Sequence, residues 1–230
     1  MSAYGFPDPH THDFTGWIRA GDYLYDGTDI ISLGNPLSVE SIRYSYSQGI
    51  FPWYIDGMPL PWFCPQRRAV LRFADLHISR SLGRESRRSD LTCTFDTAFQ
   101  RVIKACAEIK RPDQPGTWIT PDFIEVYTRG FEAGFVHSVE VWNSSGNLVG
   151  GLYGVDAGGV FCGESMFHFA SNASKLALLF LIEHLAARGS TWLDAQVMTP
   201  HMKALGAIDI DRREFLAELH TAQNKHLQLF

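Results

Sequence analysis

A chain of 230 residues with 45 % hydrophobic and 13 % aromatic side chains holds enough apolar surface for one large core or two small ones, which excludes a disordered or low-complexity polypeptide. Its net charge of −5, averaged over the molecule, argues against a surface given over to nucleic acid, because phosphate binding is driven by cations. No apolar run reaches bilayer length and no charged-then-apolar leader opens the chain, so a soluble, unexported, cytoplasmic protein is expected; Cys64, Cys93, Cys106 and Cys162 lack the spacing of a zinc site or a disulfide framework.

Residues 1 to about 35 mix Gly, Pro, Asp, His and aromatics without periodicity, which predicts an irregular entry. His10 and His12 have no third ligand nearby in sequence and do not make a metal site. Ser38 caps a helix from Val39 to about Gln48, ended by Gly49, and turns rich in Gly and Pro run to Pro65. This first third reads as a small separate unit, 1–68, ahead of a larger domain, 69–230. A short strand from Ala69 to Phe73 comes next. Seven of the twenty Lys and Arg residues then fall between Arg67 and Arg88 (Arg67, Arg68, Arg72, Arg80, Arg84, Arg87 and Arg88), a basic patch that either is a solvated surface or faces an anionic partner.

Phe95 to Ile109 has helical spacing, a linker with two prolines covers 110–116, and Thr120 with Pro121 opens a second helix ended by Gly134. Val136 to Trp142, Leu148 to Val155 and Val160 to Phe167 are strand-like and separated by turn sequences, which spells an antiparallel meander. An apolar helix from Asn172 to Arg188, a strand from Thr191 to Val197, a short helix at Pro200, a strand from Ile208 to Ile210 and a last helix from Arg212 complete the chain. The fold class is therefore α+β. A meander whose third strand feeds a crossover helix into a parallel strand is the order expected of an acyltransferase of the GNAT type.

Glu164 lies in an apolar stretch with Phe161, Met166 and Phe167 around it, near the end of its strand. A charge there needs a cation from a ligand or from a nearby Arg. Asp194 and Gln196, two apart on a strand, project from one face, so a proton acceptor and a carboxamide share a surface, either as a site or as ordinary exposed polar residues. No Walker loop, dinucleotide fingerprint or Gly-x-Ser-x-Gly elbow is present. The segment from His168 to Lys175 has no glycine, against a coenzyme A pyrophosphate loop.

Ten motifs run in order along the chain: Gly49-Ile-Phe-Pro-Trp53, Trp62-Phe-Cys-Pro-Gln-Arg-Arg-Ala-Val-Leu71, Leu76-His-Ile-Ser-Arg-Ser81, Gly116-Thr-Trp-Ile-Thr120, His137-Ser-Val-Glu-Val-Trp142, Leu148-Val-Gly-Gly-Leu-Tyr-Gly-Val155, Phe161-Cys-Gly-Glu-Ser-Met-Phe167, Asn172-Ala-Ser-Lys175, Asp194-Ala-Gln196 and Leu205-Gly-Ala207. Together they resemble the bacterial leucyl/phenylalanyl-tRNA–protein transferases. Two stretches depart from that pattern: Leu33-Gly-Asn-Pro-Leu37 in place of Gly-Gly-Asp-Leu, and Pro65-Gln-Arg-Arg68 in place of Pro-Asp-Pro-Arg.

The resemblance implies a GNAT-like domain behind a small mixed N-terminal domain. The implied activity moves Leu or Phe, with Met a third candidate, from aminoacyl-tRNA to the α-amine of proteins beginning with Arg or Lys, marking them for N-end-rule degradation, as a monomer with no cofactor, metal or membrane. It implies Asp194 and Gln196 as the catalytic pair and Glu164 as their third polar member. Tyr46, Trp53, Trp118, Tyr127, Phe161, Met166, Leu181 and Leu193 would surround the aminoacyl group or the 3′-terminal adenosine. Arg80, Arg84, Arg87 and Arg88 are the local cations for the tRNA stem. Two other readings differ in class: a non-catalytic recogniser of basic N-termini, and a coenzyme A-dependent N-acyltransferase of the same fold.

Overall fold

A computed structural model describes residues 4–12, 16–20, 23–80, 82–84, 89–109 and 117–230, with backbone alone at 18–20 and 23–26. The linker expected at 110–116 lies outside these residues. The N-terminal stretch is more regular than its composition predicts: β1 (Trp17–Ala20) and β2 (Tyr23–Asp26) form an antiparallel hairpin, and β3 (Ile30–Leu33) joins a three-stranded sheet in the order β3, β5 (Pro61–Phe63), β4 (Phe51–Pro52). Aromatic and β-branched residues there favour a pleated surface even without alternation. Between β3 and β4 lies α1 (Val39–Ser47), whose start is a reciprocal cap: Ser41 N–H donates to Ser38 Oγ at 3.1 Å and Ser38 N–H to Ser41 Oγ at 2.9 Å.

A mixed seven-stranded sheet organises the rest, in the order β12 (Ile208–Asp211), β6 (Arg67–Arg72), β11 (Trp192–Gln196), β10 (Phe161–His168), β9 (Leu148–Asp156), β8 (Val136–Trp142), β7 (Thr92–Phe95). β7 to β10 are antiparallel neighbours, while β10 and β11 are parallel, joined through α4 (Ala173–Ala187). The strand expected at 69–73 is β6, which begins at Arg67 and runs into the sheet between β11 and β12 with residues 68–71 all buried. Phe95, expected to begin a helix, instead ends β7 opposite Val139; Asp96 then takes a left-handed backbone, and α2 (Phe99–Glu108) starts three residues later. Its start is set by buried Glu140, which accepts the backbone N–H groups of Thr97 and Ala98, both at 3.3 Å.

α2 and α3 (Pro121–Glu132) cover one face of the sheet and α4 the other; α5 (Pro200–Ala204) and α6 (Arg212–Gln223) follow β11 and β12. Two apolar clusters result. One gathers Ile42, Trp62, Phe123, Tyr127, Tyr153 and Phe215, so side chains of the first 66 residues share a core with α3 and α6; the other gathers Leu71, Leu152, Phe161, Leu181, Leu193 and Met202 around α4.

The glycines of β9 set how closely these layers meet. A Cβ on Gly154 would lie 2.3 Å from the Cys162 carbonyl oxygen and 2.5 Å from the Phe161 ring, neither of which can move without shifting β10. Gly154→Ala is therefore expected to cost about 1–3 kcal/mol, the range of an overpacked core, read as a lower urea midpoint at unchanged m. A wild-type midpoint would show that β9 and β10 can separate freely.

Candidate active site

Two bulges and a forked sheet make the site. Among the described residues, β10 and β11 pair only at Cys162↔Asp194, after which β10 continues to His168 and β11 stops at Gln196. In β10 the register against β9 shifts between Gly163 and Ser165, which makes Glu164 the extra residue; in β11 the register against β6 shifts between Asp194 and Gln196 around Ala195. Such bulges re-aim side chains, and Glu164, expected near a strand end, lies mid-strand on one of them. Gln196 Nε2 donates to Glu164 Oε1 at 2.6 Å, bridging the fork.

The fork opens on a cavity of about 590 Å³. It is lined by Trp53, Ile109, Trp118 and Tyr153 from the first apolar cluster, by Leu152, Phe161, Met166, Leu178, Leu181, Leu193 and Met202 from the second, and by Glu164. Of the residues that the resemblance puts around the ligand, Trp53, Trp118, Phe161, Met166, Leu181 and Leu193 all line this cavity. Tyr46 and Tyr127 lie behind Glu164 rather than in the wall: Tyr46 donates to Oε1 at 2.5 Å, Tyr127 to Oε2 at 3.2 Å, and their hydroxyls are 2.8 Å apart.

Burial pushes the Glu164 carboxyl up to about 7, against the pull of the three hydrogen bonds from Tyr46, Gln196 and Tyr127 that favour its anion. Burial, and then the charge of Glu164, raise both phenols well above their ordinary range, so they remain protonated donors at neutral pH. The arrangement is a carboxyl poised to gain or lose a proton near pH 7, facing an apolar cavity, with every neighbour fixed in a donor role.

Asp194 is placed differently from what strand alternation predicts. It is fully buried and takes no part in the cavity wall; Arg68 donates to it twice, Nε to Oδ1 at 2.8 Å and Nη2 to Oδ2 at 2.6 Å. The Arg68 guanidinium lies between the rings of Phe51 and Phe215, 4.6 and 4.4 Å from their centroids, and its Nη1 donates to the Gly49 carbonyl at 3.2 Å. Burial, the largest single influence, would loosen the Arg68 proton, yet the Asp194 charge and the hydrogen bonds to it together outweigh burial, so the guanidinium holds its proton more tightly than usual. Asp194 Oδ1 also accepts the Gln196 N–H at 2.8 Å, and this bond holds Gln196 at φ +61°, a left-handed backbone that costs a non-glycine residue about 1–3 kcal/mol. Asp194 thus acts on the cavity through Gln196. Gly49 closes the assembly, since a Cβ there would lie 2.8 Å from Leu216 and Phe215.

Arg68 is the member that reading the sequence missed, having been counted with a basic patch. Among the described residues its first three members do not form a free basic surface: Arg68 is buried, Arg72 is bidentate to Glu218 at 3.0 and 2.7 Å, and Arg67 donates to the Asp209 carbonyl. Arg80 and Arg84 line a separate cleft with Leu76, Ile78, Leu179 and Glu183, and Arg87 and Arg88 lie outside the described residues. A clue to Arg68 was available, an Arg directly ahead of the continuous apolar run Ala69-Val-Leu71, the pattern of a strand covered on both faces.

Removing one partner of a buried ion pair strands the other, so Asp194→Asn and Arg68→Met are each expected to cost about 3–5 kcal/mol in urea unfolding, whereas Gln196→Ala keeps the pair and costs far less. A strongly non-additive double variant, Arg68→Met with Asp194→Leu, completes the test; simple additivity would mean that the two side chains are not coupled.

Sequence comparison supplies the relationship. Residues 70–220 match the family model described as leucyl/phenylalanyl-tRNA protein transferase, and residues 35–66 match that of its N-terminal domain. The leucyl/phenylalanyl-tRNA–protein transferase of Maridesulfovibrio salexigens is 46 % identical over 193 residues, 84 % of this chain and 80 % of the relative. That of Pseudoalteromonas atlantica is 44 % identical over 199 residues, 86 % and 84 % of the two chains, and that of Myxococcus xanthus 41 % over 225 residues, 98 % and 94 %. With the family model covering most of the chain and relatives above 40 % identity along both, this protein belongs to the leucyl/phenylalanyl-tRNA protein transferase family.

Proposed function

We propose that this chain transfers Leu or Phe from aminoacyl-tRNA to the α-amine of a protein or peptide beginning with Arg or Lys, in the cytoplasm, as the marking step of an N-end-rule pathway. The observation that carries this reading is Glu164, a carboxyl titrating near 7 that faces an apolar cavity and is held by Tyr46, Tyr127 and Gln196. A cavity wall of Leu, Phe and Met side chains suits an apolar aminoacyl side chain, and the tryptophans Trp53 and Trp118, 6.3 Å apart, suit the terminal adenosine. The fold reading that goes with it is a GNAT-like domain at 69–230 behind a small N-terminal domain at 1–68, supported by the crossover from β10 through α4 to the parallel β11. Arg80 and Arg84 serve as stem contacts in this reading.

The acceptor amine, with an ordinary pKa of about 7.7–8.0, must lose a proton before it attacks. In the proposed reaction Glu164 takes that proton and the Gln196 carboxamide oxygen orients the amine. The nitrogen bonds to the ester carbonyl carbon, the carbon–oxygen bond to the ribose breaks, and the ribose oxygen takes up a proton. The ester is already activated, so no nucleotide is consumed. Asp194 is a positioning residue here and not the base expected from sequence, because both of its oxygens are occupied by Arg68 and the Gln196 N–H.

The test is transfer of labelled Leu or Phe from charged tRNA to a peptide with N-terminal Arg, with N-terminal Gly as control. Transfer to both peptides, or to neither, rules the reading out. Because the anionic form is the acceptor, the wild-type rate should climb as pH rises through about 7, and Glu164→Gln should lower it by about 10²–10⁴-fold and remove that limb. The stability sign is the opposite: a carboxyl raised on folding favours the native state at low pH, and this contribution is lost as pH climbs from the ordinary carboxylate range towards 7. Glu164→Gln should flatten that slope in pH-dependent denaturation.

A further inference from the structure

Among the described residues Glu164 is the sole acid in the wall of the forked cavity, and the other charged chemistry lies where β10 ends. His168, Lys175 and His201 line that end together with Ser174 and Thr199. Lys175, in the first turn of α4, is steadied by Asn172, whose Oδ1 accepts from Nζ at 3.0 Å; His168 Nδ1 lies 3.4 Å from Ser174 Oγ. His168 lies four strand positions beyond Glu164, about 13 Å at the usual rise. One cavity therefore holds an acid and, a nucleoside's reach away, a lysine and two imidazoles with no carboxylate among the lining residues at that end.

We propose that Lys175, with His168 and His201, forms a phosphate subsite that takes the 5′-phosphodiester of the donor's terminal nucleotide. The inference rests on the aminoacyl-transfer reading and adds to it where the donor's backbone is held. The two substrates between them carry both charges that the cavity meets, the acceptor's ammonium at Glu164 and the donor's phosphate at Lys175. The donor's ester lies at the reacting amine and so beside Glu164, the apolar wall between receives its side chain, and the first anion met along the nucleotide is the phosphate on the 5′ side. His201 stands close enough to both Lys175 and His168 to feel their charges: burial first, and then Lys175 and His168, make its ring harder to protonate, so His201 enters the subsite as a hydrogen-bonding imidazole beside the Lys175 cation. A phosphate contact carries no base information, which would let the enzyme use any isoacceptor that presents the same terminal nucleotide.

Two minimal donors decide the matter: phenylalanyl-adenosine, and the same ester bearing a 5′-phosphate. Wild type is expected to show kcat/KM about 10–100-fold higher for the phosphorylated donor, the size of a hydrogen bond to a charged group, carried mainly by KM. Lys175→Ala should bring that ratio close to one, and Lys175→Arg should restore most of it. Equal losses with both donors would make Lys175 a structural residue and overturn the subsite. Binding of AMP and of adenosine by calorimetry supplies a readout that needs no turnover: tighter AMP binding that Lys175→Ala abolishes supports the subsite, and equal binding by wild type overturns it. A wild type that binds AMP through Lys175 but transfers from neither donor would sink the transferase reading alone. A Lys175→Ala defect that follows acidic residues in the acceptor peptide, with the donor ratio intact, would assign the cations to the peptide and reject the nucleotide.

Discussion

The buried pair of Arg68 and Asp194 is the constraint from which the site is built. Taking two ions out of water costs several kcal/mol each, and such a pair survives only when every proton and lone pair is met. Here the carboxylate accepts both arms of the guanidinium and the Gln196 N–H, while the guanidinium also reaches the Gly49 carbonyl and is enclosed by Phe51 and Phe215. Its partners come from the turn after α1, from β4, β6 and β11 and from α6. A pair this demanding fixes relative position as much as it adds stability, and it ties the N-terminal sheet to the strand that ends in Gln196.

From that anchor the electrostatics of the cavity follow in order. Asp194 sets the backbone of Gln196, Gln196 reaches across the fork to Glu164, and Glu164 is met from behind by two phenols. The chain passes from a buried ion pair, through a neutral amide, to a carboxyl that burial pushes up to about 7. Of the three, only Glu164 lines the cavity. For the proposed transfer this matters, since a permanent anion at the cavity would hold an ammonium group tightly in its unreactive form, whereas a carboxyl matched to the amine would release it.

Much of this was legible in the sequence. Ser38, Thr120 and Thr199 declare helix starts through their side-chain oxygens; the meander is written in turn residues; Glu164 in an apolar stretch is conspicuous for the cost of its charge. What could not be read was pairing at a distance. Arg68 and Asp194 are 126 positions apart, and the apolar run after Arg68 hints at burial without naming the partner that makes it possible. The two bulges were equally hidden: alternation placed Asp194 and Gln196 on one face, and only the register against β6 reveals that one turns to the core and the other to the fork. Phe95 misled for a related reason, since its helical spacing with Phe99 is real, but Glu140 on a neighbouring strand decides where the helix begins.

The left-handed backbone at Gln196 limits how this position can drift. Glycine would relieve the strain, and asparagine tolerates that conformation better than most residues, so both lie on the easy path for backbone energy. Glycine has no carboxamide, and asparagine's is a methylene short of the bond that Gln196 makes to Glu164 at 2.6 Å. Glutamate keeps the length but sets a second carboxylate against the first. The position is thus held by two requirements that no other side chain meets together, reach and a donor amide, and the strain is the standing cost of satisfying both.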